Sequence, residues 1–309
     1  MNKFILRQSL LLLIATIVWG VAFVAQSVGM DYVGPFTFLA SRSYLGFVVL
    51  LPVISVMDRA RKKAPADEND ERQYGWNNKI LITGGIVCGT VLMVASSLQQ
   101  IGIQYTSVGK AGFITTMYII FVPLISIFLK KRAGLKVWIS VIIAVAGLYL
   151  LCMTESIQFQ YGDLMVLLCA VAFSFHILVI DHFSPKIDGV KMSCIQFLVC
   201  ALLSTVFMFI FEKPSFADIL QAWKPILYAG VMSSGVGYTL QIVGQRGMNA
   251  TVAALIMSLE SVVSVLAGFL LLEEILTARE LFGCLLMFIA IVLTQLPEKQ
   301  VRLSEKQER

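Results

Sequence analysis

A carboxyl, a guanidinium and several amides stand inside runs that are otherwise apolar. Glu260 lies in Ser258-Leu259-Glu260-Ser261, near the middle of its run. Scarcity of water disfavours the charged form of such a group, so it suits proton exchange, or it can accept the amine of a bound solute. The plain alternative is a neutral Glu hydrogen-bonded to a neighbouring helix. Arg42 is flanked by Ser41, Ser43 and Tyr44, roughly 10 Å in from the end of its run at helical rise. It is either an anchor for an anionic group or a structural Arg bonded to helix-end carbonyls. Lys110, in Gly109-Lys110-Ala111-Gly112, can attract carboxylates at a mouth or simply reach back to water. Gln26, Gln99, Gln100 and Gln241 are uncharged amides, suited to holding a polar solute or to joining helices. Trp19 and Tyr118 can stack on a flat or apolar solute, though aromatics in such runs also serve packing. His176 is one of two histidines, and a lone one is more often structural than a relay.

What must position these residues is a set of long apolar helices. The chain has 309 residues, 58% hydrophobic and 14% charged, far from the composition of soluble domains. Its apolar runs are about twenty residues long, the length that crosses a bilayer. They predict ten helices, at 9–29, 36–57, 79–102, 109–129, 137–153, 162–181, 191–211, 225–245, 250–272 and 280–296. The expected fold class is an all-α integral membrane protein with ten transmembrane helices.

Charge orients the spans. Of the 24 Lys and Arg, 19 fall in one set of alternate loops and termini and four in the other, while Arg42 lies within a span. The positive-inside rule then puts both termini in the cytoplasm. The net charge of +5 is thus an orientation signal and not the footprint of a nucleic-acid binder. The six cysteines lie within or at the ends of spans, with no CxxC or other metal-ligand spacing, so they read as small packing residues. The first apolar run follows Lys3 and Arg7 as a signal peptide would, but with nine spans behind it an uncleaved helix is expected. The Asn249-Ala250-Thr251 sequon falls on the cytoplasmic side and is read as accidental.

The second half of the chain repeats the first. Leu98-Gln99 with Gly102 recurs 142 residues later as Leu240-Gln241 with Gly244, and Tyr118 falls opposite Glu260. Earlier in the chain the offset is 154, with Trp19 opposite Phe173 and Arg42 opposite Gln196. The difference is absorbed by 58–78, the one long polar segment, expected to be a flexible cytoplasmic loop. At the later offset Lys130-Lys131-Arg132 meets Leu272-Glu273-Glu274, so equivalent loops carry opposite charge. Five helices per copy is an odd number, which also turns the second copy over. Two inverted five-helix repeats, 1–154 and 155–297, followed by a cytoplasmic tail at 298–309, form an architecture typical of secondary transporters. Glycines in the corresponding helices 3 and 8 (Gly84, Gly85 and Gly89; Gly230, Gly235 and Gly237) allow close packing or hinge freedom.

Enzyme signatures are missing: there is no G-x-S-x-G, H-E-x-x-H, P-loop or glycine-rich dinucleotide turn. No catalytic residue, metal site or cofactor is expected. The expected partners are a small-molecule solute, the lipid bilayer and protons as a coupling ion, with no nucleic acid. The oligomeric state is left open. The competing assignments are a membrane enzyme or scaffold without transport activity, and a channel. An enzyme lacks its nucleophile and ligands here, and a channel would more usually be a symmetric oligomer of few-helix subunits.

Several segments carry a resemblance: Val18-Trp19-Gly20, Gly162-Asp163-Leu164, Leu259-Glu260-Ser261-Val262, and Leu271-Leu272-Glu273-Glu274 followed by Gly283. Their order and spacing over about 10–296 resemble the EamA-type branch of the drug/metabolite transporter superfamily. The resemblance implies a bacterial inner-membrane carrier that exports or exchanges small metabolites, such as amino acids, by alternating access. Its cavity would be lined mainly by helices 1, 3, 4, 6, 8 and 9. The chain departs from the family after Glu260, where Ser261 replaces the usual Pro; a Pro appears instead as Pro123 in the first copy.

Overall fold

The computed structural model describes residues 3–61, 75–106, 108–130, 134–152, 160–272 and 277–295. Most of the polar 58–78 loop, most of the junction between the halves, Glu273 and Glu274, and the tail lie outside these residues. Among the described residues the structure is helical, without strands. The chain winds α1 (Lys3–Gly29), α2 (Pro35–Arg61), α3 (Lys79–Ile103), α4 (Val108–Thr115), α5 (Tyr118–Phe128), α6 (Leu135–Cys152) and α7 (Tyr161–Phe183). It continues with α8 (Gly189–Phe211), α9 (Phe216–Gln221), α10 (Trp223–Leu227), a π-helical stretch (Tyr228–Tyr238), α11 (Thr239–Gln245), α12 (Ala250–Met257), α13 (Glu260–Leu272) and α14 (Ala278–Gln295).

Eight helical segments are long and apolar enough to cross a membrane, and two shorter apolar ones occupy Leu135–Leu150 and Leu281–Leu293. The observed bounds follow the predicted ones closely except at the start. There α1 begins six residues earlier and takes in Lys3 and Arg7, because a helix need not stop where the apolar run does. Polar residues mark the starts: Asn78, Asp188 and Asn249 each accept backbone N–H groups of the turn they precede, satisfying donors a helix leaves orphaned. Asn249, read from the sequence only as part of a sequon, is thus a helix cap.

Polarity is turned inward. On α1, Ile14 and Ile17 are exposed while Gln8, Thr16 and Gln26 are buried. Arg42, Gln99, Gln100, Gln241 and Glu260 are buried too. In water this arrangement would be unfavourable. In lipid it is the expected one, since the outer face needs apolar groups and polar groups need one another.

Two segments break in mid-course. Between α4 and α5 the chain turns at Thr116-Met117, and between α12 and α13 at Ser258-Leu259. In both, a hydroxyl takes the carbonyl three residues back, Thr116 to Phe113 at 2.8 Å and Ser258 to Leu255 at 2.8 Å, a bond that competes with the backbone ladder. The second break therefore forms with Ser261, and no proline, after Glu260. The π-helical stretch lies in the segment before it, and such widened turns mark functional sites more often than chance.

Packing crosses the two halves throughout. Helix α3 lies along α7 and α8, α2 along α8, α6 along α14, and α1 along α11, α13 and the π-helical stretch. The α2–α8 pair is clasped at both ends. At one end Glu212 accepts the backbone N–H groups of Phe36 and Thr37, each at 2.8 Å, and the Thr37 hydroxyl at 2.6 Å. At the other, Arg61 pairs with Asp188, and Lys191 pairs with Asp58 at 2.8 Å.

Candidate functional site

A cavity of about 450 Å³, its opening included, lies among α1, α2, α3, α7, the π-helical stretch, α11 and the two broken segments α4–α5 and α12–α13. Five aromatic residues, Trp19, Phe23, Tyr118, Phe173 and Tyr238, line it. Trp19 is fixed from two sides: its Nε1 donates to the carbonyl of Ser233 at 3.4 Å, and its ring lies 4.8 Å from that of Tyr238.

Seven of the ten residues singled out from sequence line this cavity: Trp19, Gln26, Arg42, Gln99, Tyr118, Gln241 and Glu260. They meet because α2 packs against α8, the π-helical stretch and α3, and because Glu260 and Tyr118 each begin the helix after a break. Arg42, 3% exposed, donates from Nη1 to Oε1 of Gln26 at 2.9 Å and sits 6.0 Å from the ring of Phe38. The Tyr118 hydroxyl donates to Oε1 of Glu260 at 3.0 Å. Gln99 donates from Nε2 to the Thr115 hydroxyl at 3.3 Å. The amide oxygen of Gln241 is buried and has no hydrogen-bond partner among the described residues. Neither Arg42 nor Glu260 forms an ion pair among the described residues.

Three of the ten stand elsewhere. Gln100 donates from Nε2 to the backbone carbonyl of Gln26 at 3.2 Å, so it braces α1 against α3 behind the wall. Lys110 pairs with Asp163 at 2.6 Å. His176 lies behind Phe173 and Tyr238, 3.2 Å from Oε1 of Gln196.

Sequence inspection passed over Thr115, Ser233, Tyr238 and Met257, which also line the cavity. The repeat held a signal for two of these, since Thr115 and Met257 are 142 residues apart. Nothing in the local sequence marked Tyr238. Among the described residues, no group of three or more His, Cys, Asp or Glu side chains lies close enough to hold a metal ion.

This geometry, a polar-lined cavity inside an apolar helical shell, has a counterpart among known proteins. The model of the EamA-like transporter family matches residues 6–153 and again 160–296. The chain belongs to the EamA-like transporter family. It is similar to a protein of Archaeoglobus fulgidus named as an uncharacterized transporter, 27% identical over 286 residues, 92% of this chain and 84% of that one. Two Bacillus subtilis proteins bearing the same description, YoaV and YwfM, are each 24% identical, over 89% and 94% of this chain and 92% and 95% of their own. A solved crystal structure shares the fold, with a TM-score of 0.73 at 16% identity over 93% of this chain and 96% of that one. The EamA-like chain is therefore a multi-pass membrane protein and a membrane transporter.

Proposed function

We propose that the chain is a secondary transporter that moves a small organic solute across the bacterial inner membrane by alternating access, as an exporter or exchanger coupled to protons. The observation that carries the proposal is that Arg42 and Glu260 face one buried cavity without ionic partners among the described residues. A buried guanidinium and a carboxyl left in that state suit a solute that brings its own charges. An amphoteric molecule such as an amino acid, with a carboxylate for Arg42 and a donor for Glu260 or the open oxygen of Gln241, fits this chemistry. The aromatic wall would take its apolar part.

Ten spans as two inverted five-helix repeats, with both termini cytoplasmic, complete the proposal. Support comes from equivalences at the offset of 142. The helix breaks at Thr116-Met117 and Ser258-Leu259 are so related, as are Gln99 and Gln241 in the cavity wall. Tyr118 and Glu260 are equivalents that bond to each other, as residues close to a two-fold axis do. Contacts pair likewise: α3 with α7 answers α1 with the 223–245 segment, and α13 with α1 answers α4 and α5 with α7.

Glu260→Gln provides the test, in proteoliposomes given a mixture of radiolabelled amino acids. The variant mimics a permanently protonated carboxyl, so it keeps solute exchange and loses accumulation driven by a pH gradient. Accumulation at the parental rate would make Glu260 structural, and absence of exchange in the parent protein itself would remove this solute class.

A further inference from the structure

Asp163 is fully buried, yet it belongs to the first turn of α7 and is the only acidic residue of that turn. Three donors meet it. Lys110 Nζ reaches Oδ2 at 2.6 Å, the Thr106 hydroxyl reaches Oδ1 at 2.9 Å, and the backbone N–H of Gln160 reaches Oδ2 at 2.8 Å. The last bond is an ordinary helix cap. The first two come from the other half of the chain, from the end of α3 and the start of α4.

The same junction is closed at the level of the backbone. A Cβ on Gly102 would stand 2.9 Å from the carbonyl oxygen of Gly162, and one on Gly162 would stand 2.8 Å from that of Gly102. Tyr105 packs edge-on against Tyr161 beside them, with ring centroids 5.5 Å apart. No solute passes between α3 and α7 in this arrangement.

At the opposite end of the bundle the counterpart is built differently. Gly244, the equivalent of Gly102, faces Leu12 and the carbonyl of Gln8. There the junction is held by Gln8, whose Nε2 donates to the carbonyls of Val243 at 2.9 Å and Arg246 at 2.8 Å. At the offset of 142 Lys110 answers to Val252, and at 154 Asp163 answers to Ser9. Among the described residues, no ion pair joins α1 to α11 or α12. One end is tied by an ion pair with a buried carboxylate, the other by amide-to-carbonyl bonds. Because α2 and α8 are clasped at both ends, opening falls on these two junctions.

We propose that the Lys110–Asp163 pair, with Thr106, is a latch that closes the cavity at the α3–α7 end, and that parting it opens the cavity to that side of the membrane. The latch rests on the transporter function proposed above. On the topology proposed there, this is the outer side. An ion pair makes a sharp latch, because a buried carboxylate that loses its cation is left uncompensated until water enters. The junction is then stable when shut and stable when fully wet, with little stability between.

The test uses single-cysteine reporters in a cysteine-free background, probed with a membrane-impermeant thiol reagent in right-side-out and inside-out vesicles. Thr115→Cys places the reporter in the cavity wall. Lys110→Ala and Asp163→Asn are expected to label about tenfold faster than the parent from the face on which residue 110 lies, and no faster from the other. The charge-reversed pair, Lys110→Asp with Asp163→Lys, is expected to return labelling towards the parental rate. Gly102→Ala, which forces α3 from α7 without touching a charge, is expected to raise labelling from the same face. Gln8→Ala is expected to raise it from the opposite face. Unchanged labelling in both single variants overturns the latch, and so does a rise that is equal from both faces. Labelling needs no solute, so the latch can fail while the parent still exchanges amino acids. Failure of exchange, conversely, leaves the labelling result readable.

Discussion

Removing the charge of Arg42 separates a binding role from a structural one. Arg42 is 3% exposed, has one amide partner at 2.9 Å and lies 6.0 Å from one aromatic ring, with no carboxylate in ion-pair range among the described residues. Holding such a charge within a span costs about 2.5–3.5 kcal/mol. Its hydrogen bond to Gln26 returns about 1.5–3 kcal/mol. Arg42→Met removes both terms and leaves Gln26 facing the cavity, where water satisfies it. The net change in stability of the solute-free protein then falls between about −0.5 and +2 kcal/mol, positive meaning more stable. Thermal unfolding of the detergent-solubilised protein, followed by tryptophan fluorescence, should show an unchanged or raised midpoint. An Arg that was one half of a structural charged pair would instead cost about 3–5 kcal/mol on removal, a loss of many degrees. Solute affinity moves the other way. Losing a charge-assisted hydrogen bond to a carboxylate weakens half-saturation of amino-acid exchange about 10- to 150-fold. Arg42→Lys retains charge but not the planar fork, and should fall between the two. A midpoint that drops steeply, or a half-saturation that does not move, refutes the assignment of Arg42 to the solute.

Topology is checked by cysteine labelling in intact cells, where position 275 should react with an impermeant reagent and position 67 should not; the reverse pattern overturns the orientation. Glu212→Ala leaves the N–H groups of Phe36 and Thr37 without their acceptor and should lower the unfolding midpoint by the equivalent of about 1–2 kcal/mol, as loss of a helix cap does. Retention of the parental midpoint would show that the α2–α8 clasp contributes nothing at that end.

The all-helical class, the approximate bounds of the long helices and the class of environment were legible in the sequence because they depend on local sums. A run of about twenty apolar residues has few ways to satisfy its backbone except by helix, whatever surrounds it. The offset of 142 residues, read from the sequence alone, carried further than any motif. The offset of 142 aligned Tyr118 with Glu260 and Gln99 with Gln241, and in the structure all four reach one cavity. What the residues touch was decided by tertiary packing. Lys110 and Asp163 are 53 residues apart, and each alone is an ordinary polar residue at a helix end. Only the packing of α4 against α7 brings them together, with Asp163 buried and Lys110 half-buried. His176 and Gln100 have the same chemical character as the cavity residues, yet each stands one residue, about 100° of helix, from a lining residue and points to Gln196 or the backbone of Gln26 instead. Tyr238 enters the wall where the chain widens into a π-helix, a change of pitch that no residue type announces. The azimuth of a side chain about its helix is set by how that helix packs. That packing is a property of the whole bundle, absent from any window of the chain.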